Sequence, residues 1–387
     1  MEIIGGRYEQ ECPVIFGAGS IEKITDVIKD FGCSKPFLVY DAGVRAAGAA
    51  ERVMRILQEG GLSPVEYDDV KPDPVDTDVT EAGEAARKED VDCVIGMGGG
   101  SSMDTAKMVS VMLNNPGPIR DYFLSTGKVP SHVPCILVPT SSGTGSEITR
   151  VAVVSEADTH AKGGVFASGN IAVLDPELTL TCPPSVTANS GFDAFSHALE
   201  SYTSGATDPM SDVLALRAIE LIASNLKQAC DDGSDVERRT KLMQASNFAG
   251  MAFSNTGVHF GHAFGHQLGG HFGIGHGLSC AYTLGEVARF GAEVSPQRGR
   301  DIAKAMKLCV PENATGSEIG EILADAIYDM MRYCGVPSMK EKNFGREECI
   351  GLAQEAIDTN PFYYNTPVPV SVEEFQTLIG KMWDNYQ

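Results

Sequence analysis

The sequence predicts an α/β domain of parallel βαβ units over residues 1–184, followed by an all-helical domain over residues 185–387. Three observations predict it. Up to about residue 180, short apolar runs alternate with helical patterns, which is the signature of βαβ units. Beyond Pro184, β-type runs all but vanish and long helical patterns replace them. The chain has 387 residues, of which 43% are hydrophobic and 21% charged, enough for two ordinary domains with sizeable cores. No internal repeat or low-complexity linker separates the halves, and the boundary is placed near Cys182-Pro183-Pro184.

Taken in order, Pro13 to Phe16 reads as a strand closed by Gly17, and Ser20 as the cap of a helix through Ile28. Pro36 to Tyr40 (PFLVY) reads as a buried strand ending at Asp41. A helix follows from about Ala46 to Glu59 and stops at Gly60-Gly61. Val65 to Tyr67 is a further strand candidate, and Val79 to Lys88 a helix. Val91 to Met97 is a strand that runs into glycines, with a helix from Ser102 to Leu113 directly behind it. Cys135 to Val138 is again a strand, opening into a Ser/Thr/Gly loop. In the second domain the helical patterns cover Ala188–Tyr202, Pro209–Cys230, Val236–Ser254, Ser317–Cys334 and Arg346–Asp358.

Composition excludes several function classes. A formal net charge of −22 argues against unaided binding to nucleic acid or an anionic membrane, which both need concentrated positive charge. Ten scattered cysteines form no CxxC pair and read as reduced, buried thiols, which fits a cytoplasmic setting. MEIIGGRYEQ has neither the basic segment nor the apolar run of a secretory signal, and no apolar run reaches transmembrane length.

Two loops and one acid point to a nucleotide. Gly98-Gly99-Gly100-Ser101-Ser102 lies between a predicted strand and a predicted helix. Glycines there let backbone amides approach a phosphate at a helix N-terminus; a plain tight turn is the other reading. Pro139 to Glu147 (PTSSGTGSE) offers hydroxyl and backbone donors at the end of a neighbouring strand, or else simply caps the next helix. Two such loops at strand carboxyl ends strengthen each other, because open α/β sheets bind ligands there. Asp41, closing the PFLVY strand, can accept from ribose hydroxyls and would repel a 2′-phosphate. From spacing alone, a cap or turn role for it weighs slightly more.

Five of the eight histidines lie between Phe253 and Gly277: His259, His262, His266, His271 and His276. Neutral imidazole is the commonest metal ligand. His262 and His266 are four apart on a helical pattern, as are Asp193 and His197 in GFDAFSHALE, so each pair shares one helix face. The glycines at 269–277 then return the chain. One carboxylate with several imidazoles suits Fe(II) or Zn(II) and leaves room for a substrate oxygen. Spacing does not say which of the five histidines ligates.

The assembled motifs resemble the iron-containing (group III) alcohol dehydrogenases from roughly Gly5 to His276. They are GGGSSMDTAK at 98–107, PTSSGTGSE at 139–147, DPELT at 175–179, GFDAFSHALE at 191–200, and HAFGHQLG running on to HG at 262–277. The resemblance implies a Rossmann-like first domain and an all-α second domain, the dehydroquinate synthase-like architecture of these enzymes. It implies Asp193, His197, His262 and His276 as metal ligands, with Fe(II) ranked above Zn(II). His266 would stand near the nicotinamide in a catalytic role, as a proton relay or a ribose contact. Gly98, Gly99, Gly100, Ser101 and Ser102 would hold the pyrophosphate, with Asp104 part of the same motif. Thr140, Ser141 and Thr144 would face phosphate and nicotinamide, Leu180 the adenosine end, and Lys162 the cofactor. Asp41 occupies the position that favours NAD over NADP. Asp73, Val151, Val153 and Phe253 match pocket-lining positions, while His259 and His271 match no ligand.

The implied reaction is reversible hydride transfer between a small primary or secondary alcohol and NAD, with the metal as a Lewis acid on the substrate oxygen. The chain departs from the family on the substrate side. The segment between Lys162 and Asp175 is short, Pro72-Asp73-Pro74 replaces Pro-Asn-Pro, and Leu284-Gly285 replaces Leu-Pro. Two other readings belong to the same superfold: a glycerol-phosphate dehydrogenase and a sugar-phosphate cyclase. Both would need basic residues for a substrate phosphate, where the matched positions are mainly apolar. A non-catalytic metal-binding scaffold is the reading from another class. The expected partners are a small alcohol or aldehyde and further copies of the chain, as a homodimer or larger homo-oligomer.

Overall fold

The computed structural model describes residues 8–158 and 162–387. It divides into two compact units. One comprises Gln10–Ser141 with Gly145–Cys182. The other comprises Tyr8 and Glu9, the short stretch Ser142–Thr144, and Pro183–Gln387.

The α/β unit runs β1 (Val14–Phe16), α1 (Ile24–Asp30), β2 (Pro36–Asp41), α2 (Ala42–Ala46), α3 (Ala49–Glu59), β3 (Val65–Val70), α4 (Asp76–Lys88), β4 (Cys93–Gly98), α5 (Gly100–Asn114), β5 (Cys135–Pro139), β6 (Val151–Ser155), β7 (Lys162–Phe166) and β8 (Ile171–Leu174). Six strands form one parallel sheet in the order β1-β8-β5-β4-β2-β3. β4 and β5 are buried along their whole length and β2 up to Tyr40, as central strands covered by helices on both faces must be. Alternation assigns the faces. Leu38, Ile95 and Ile136 pack with Ile24 and Val53 on one side, while Phe37, Val39, Val94 and Leu137 pack with Ala82 and Val109 on the other. β2 has β3 on one side and β4 on the other, so the crossover from β2 to β3 runs one way along the sheet and the next, from β3 to β4, runs back past β2. The carboxyl ends of β2 and β4 therefore flank a topological switch point.

Three details differ from the sequence expectation. The segment after Gly19 opens with a 3-10 turn over Ser20–Lys23, with Gly19 in the cap position and the α-helix starting only at Ile24. The single helix expected from Ala46 to Glu59 is two, because Gly48 takes φ 73° between them. β6, β7 and β8 were not expected as strands. β6 and β7 form a separate antiparallel hairpin, and glycines at 163 and 164 mask the apolar pattern of β7.

The second unit is helical. Its first half runs α6 (Pro184–Thr203), α7 (Pro209–Asp231), α8 (Val236–Thr256), α9 (Phe260–Phe272), α10 (His276–Ala281) and α11 (Leu284–Val294). Helices over Pro296–Ala305, Gly316–Tyr333, Arg346–Gly351, Ala353–Thr359 and Val372–Asn385 complete it. Its core centres on Phe192, Phe195, Phe260, Phe264 and Tyr282. α6 is buried along most of its length, so its polar residues are enclosed and need partners.

Candidate metal centre and cofactor loops

The helical unit gathers its polar residues on three elements. On α6, Asp193, Ser196, His197 and Glu200 share one face at i, i+3, i+4 and i+7. α9 contributes His262 and His266, and His276 opens α10 after the glycine return. Asp193 Oδ1 lies 3.4 Å from His276 Nε2. The rings of His262 and His276 are 5.4 Å apart, and His197 stacks on His262 at 4.6 Å. Phe253 stacks on His197 at 4.2 Å. The donor atoms of Asp193, His262, His276 and Cys280 all lie within 4.8 Å of one another.

Asp193 Oδ1, His197 Nδ1 and His262 Nε2 are buried with no hydrogen-bond partner among the described residues. Each such atom costs on the order of 1–3 kcal/mol unless something takes its lone pair, so the cluster fits a cation. Electrostatics agree for two of the donors, Asp193 and His197. Burial pushes the Asp193 carboxyl up to about 7, a cost that a bound cation would remove. Burial also drives His197 well below its ordinary range, leaving the neutral imidazole a metal requires. A second grouping, Cys33, Asp92 and Cys93, does not fit an ion as well. The Asp92 oxygens there already accept from the Ser34 and Lys35 amides and the Ser34 hydroxyl.

In the α/β unit the loop at the end of β4 starts α5, a helix of 15 residues with Gly99 at its cap position. Gly98 has φ 146°, and a Cβ there would sit 2.6 Å from Ser102 Oγ, so only glycine lets the loop close this tightly. Asp41 Oδ1 caps α2 through the amides of Gly43 and Val44, while Oδ2 accepts from Ser102 Oγ at 2.9 Å. The cap reading and the link to the glycine loop therefore both hold. A cavity of about 320 Å³ opens here, lined by Asp41, Gly43, Lys71, Gly99, Gly100 and Ser101. It lies at the carboxyl ends of β2, β3 and β4, where open α/β sheets hold their ligands. The Thr140 amide donates to the Gly98 carbonyl at 3.0 Å, which ties the second loop to the first.

Two family models account for nearly all of the chain. The model described as iron-containing alcohol dehydrogenase matches residues 13–176, and that for the C-terminal part of the Fe-containing alcohol dehydrogenase family matches residues 187–383. The chain belongs to the iron-containing alcohol dehydrogenases. It is a metal-dependent oxidoreductase acting on CH–OH groups, linked to NAD(H). A choline dehydrogenase of Bacillus subtilis is 34% identical over 382 residues, covering 97% of this chain and 94% of that one. An NAD-dependent methanol dehydrogenase of Bacillus methanolicus is 30% identical, covering 94% and 96%. Among solved structures, a 1,3-propanediol oxidoreductase superposes with a TM-score of 0.92 at 29% identity, covering 98% of this chain and 100% of that one.

In this dehydrogenase several expected site residues have protein partners. The Asp104 carboxylate accepts from Ser146 Oγ at 2.5 Å, the Val153 amide at 3.1 Å and the Lys107 ammonium at 3.3 Å. It therefore fixes the hairpin strand β6 to α5. Lys107 is fully buried and also reaches Thr149 Oγ1 at 3.0 Å. Lys162 pairs with the Asp73 carboxylate and with Ser155 Oγ at 2.9 Å. Asp73 itself sits at φ 50°, unusual outside glycine. Val151 and Val153 lie on β6, and Leu180 follows the 3-10 turn Pro176–Thr179. Of the second loop, Ser142–Thr144 belongs with the helical unit, where Gly143 packs on Ser190 and is hydrogen-bonded to His197. His259 and His271, the two histidines of the Phe253–Gly277 stretch that match no ligand, hold protein partners: His259 Nε2 is 2.8 Å from Thr203 Oγ1, and His271 is 2.9 Å from Glu348.

Sequence reasoning missed Glu200. Its carboxylate is wholly buried and accepts from His262 Nδ1 at 2.5 Å and from the backbone amides of His259 at 2.7 Å and His262 at 3.2 Å. A Cβ on Gly261 would lie 2.7 Å from Oε1, so the glycine makes room for this acid. Burial alone would raise the Glu200 carboxyl. The charges of His262 and His259, together with these hydrogen bonds, outweigh it and hold the group at about 2. The i+7 spacing from Asp193 was the available signal.

Proposed function

We propose that this dehydrogenase reversibly oxidises a small primary or secondary alcohol with NAD, using Asp193, His197, His262 and His276 to hold a divalent Fe(II) or Zn(II) ion. One observation carries the metal assignment: three buried donor atoms, one on each of Asp193, His197 and His262, have no hydrogen-bond partner among the described residues. A divalent cation there supplies a Lewis acid for the substrate oxygen. The chain's own residues do the rest. Glu200 holds the His262 Nδ1 proton, so that Nε2 keeps its lone pair for the ion. His266 is half-buried, with its ring 5.1 Å from that of His276 and Nδ1 2.9 Å from Asn360 Nδ2. That position suits a proton relay.

The amides at the start of α5, from Gly98 to Ser102, take the pyrophosphate, and Asp41 takes the adenosine ribose hydroxyls. Its carboxylate on the cavity wall supports NAD over NADP. Thr140, Ser141 and Thr144 serve phosphate and nicotinamide, and Leu180 the adenosine end. By the family resemblance Val151 and Val153 of the α/β unit, and separately Phe253 of the helical unit, are apolar substrate-side positions. The Asp73–Lys162 pair neutralises the basic residue that a phosphorylated substrate would want. Ten free thiols support a reducing, cytoplasmic setting, and a homodimer or larger homo-oligomer is proposed from the family resemblance. The test is metal analysis of purified protein coupled to an NAD and NADP assay over an alcohol and aldehyde panel. Metal-free protein with undiminished turnover would refute the proposal.

A further inference from the structure

We infer that Asn360 is a positioning residue, whose side-chain amide fixes the ring of His266 by its Nδ1 edge. This rests on the catalytic reading of His266 above and adds the group that orients it. Asn360 is buried, and its Nδ2 lies 2.9 Å from His266 Nδ1. An imidazole on a helix can turn about its side-chain bonds. A hydrogen bond to one ring nitrogen settles that rotation and decides which edge of the ring meets the reaction.

The chain around Asn360 is built to hold that amide still. Pro361 confines the residue before it to extended backbone, so the helix over Ala353–Thr359 ends at Asn360, with φ −120° and ψ 108°. One residue earlier, Thr359 Oγ1 accepts from Gln267 Nε2 at 2.8 Å, so neighbours on α9 meet neighbours at this helix end. The Asn360 carbonyl accepts from the Tyr363 amide at 3.2 Å, inside the 3-10 turn Pro361–Asn365. At the far end of the turn, Asn365 Nδ2 donates to the Val258 carbonyl at 3.1 Å, and its own carbonyl accepts from the Gly205 amide at 2.9 Å. Residues 360–365 are thus tied to the start of α9 at one end and to His266 at the other. An amide also suits the task chemically. It carries a donor and an acceptor without charge, so by turning over it can serve Nδ1 with or without a proton.

The experiment compares full-length, metal-loaded wild type with Asn360→Ala, Asn360→Leu, His266→Ala and the double variant of His266→Ala with Asn360→Ala. Each is assayed for metal content and for steady-state turnover of 1-propanol with NAD. Both Asn360 variants are expected to keep their metal and a KM for NAD within about twofold of wild type, while kcat falls about 10–100-fold, the usual effect of a misplaced catalytic group. Leucine restores the volume of the asparagine without its hydrogen bond, so a Leu variant with undiminished kcat overturns the inference in favour of packing. In the double variant the losses are expected not to add: once His266 is gone, removing Asn360 costs nothing further. A double variant whose loss is the product of the two single losses shows that Asn360 does not act through His266. That result overturns this inference alone. His266→Ala with the kcat of wild type overturns the catalytic reading of His266, and this inference with it.

Discussion

Glu200 Oε1 lies 2.5 Å from Nδ1 of His262, with both side chains sealed from solvent. A carboxylate behind a ligating imidazole fixes which nitrogen carries the proton and raises the basicity of the other. Glu200→Gln keeps the shape and removes the charge. Its cation affinity is expected to fall about 10–100-fold while its far-ultraviolet circular dichroism stays that of wild type. Calorimetric Zn(II) titration of the apoprotein checks this, and an unchanged dissociation constant would assign Glu200 to packing alone.

His262 and His266 sit one turn apart on α9 and should separate cleanly. His262→Ala is expected to lose both bound metal and activity, and full metal content in that variant would sink the ligand assignment. His266→Ala is expected to retain its metal while kcat drops by about 10²–10⁴, the usual worth of a general acid–base group. Elemental analysis beside steady-state kinetics on the same preparations distinguishes the two roles.

Asp41 divides its carboxylate between the cap of α2 and Ser102, on the wall of the cavity at the end of β2. Asn can keep both hydrogen-bonding roles without the charge. Asp41→Asn is therefore expected to leave stability nearly unchanged while raising the ratio of kcat/KM for NADP over NAD about 10–100-fold. That is the effect of relieving a like-charge contact worth on the order of 1–3 kcal/mol. An unmoved ratio would show that the 2′ position of the cofactor lies elsewhere.

The central parallel strands were legible because burial on both faces leaves continuous apolar runs such as PFLVY and CILV. β7 was not, since Gly163 and Gly164 carry no side chain to register a pattern and the hairpin stands apart from the main sheet. At the metal centre, helix periodicity placed Asp193 with His197 and His262 with His266 on common faces. It did not show that Glu200 lies under His262, because that contact joins α6 to α9 and depends on Gly261 letting the helices approach. Asp104 is the converse case. Its motif marked it for the cofactor, but its carboxylate bonds Ser146 and the Val153 amide, partners 42 and 49 residues away that only the fold brings near.

Asp92 clamps the opposite ends of the strands that carry Asp41 and Gly98. Just before β4, it accepts from the Ser34 amide at 2.7 Å and the Lys35 amide at 2.9 Å, just before β2. Burial works to raise its carboxyl, but these amides and the Ser34 hydroxyl outweigh it and hold the group below its ordinary 3.8. A carboxyl depressed in the fold stabilises the protein at every pH above its unfolded value. That contribution fades as pH falls from 3.8 through the lower folded value, because the unfolded chain then binds the proton more readily. Asp92→Asn has no such proton to gain. Its Tm should lie about 1–3 °C below wild type near pH 7. The gap should close as pH drops below about 4, because wild type loses in acid what the variant never had. Thermal melts of both proteins between pH 3 and 7 test this, and a gap that stays constant into acid would show that the clamp acts through shape rather than charge.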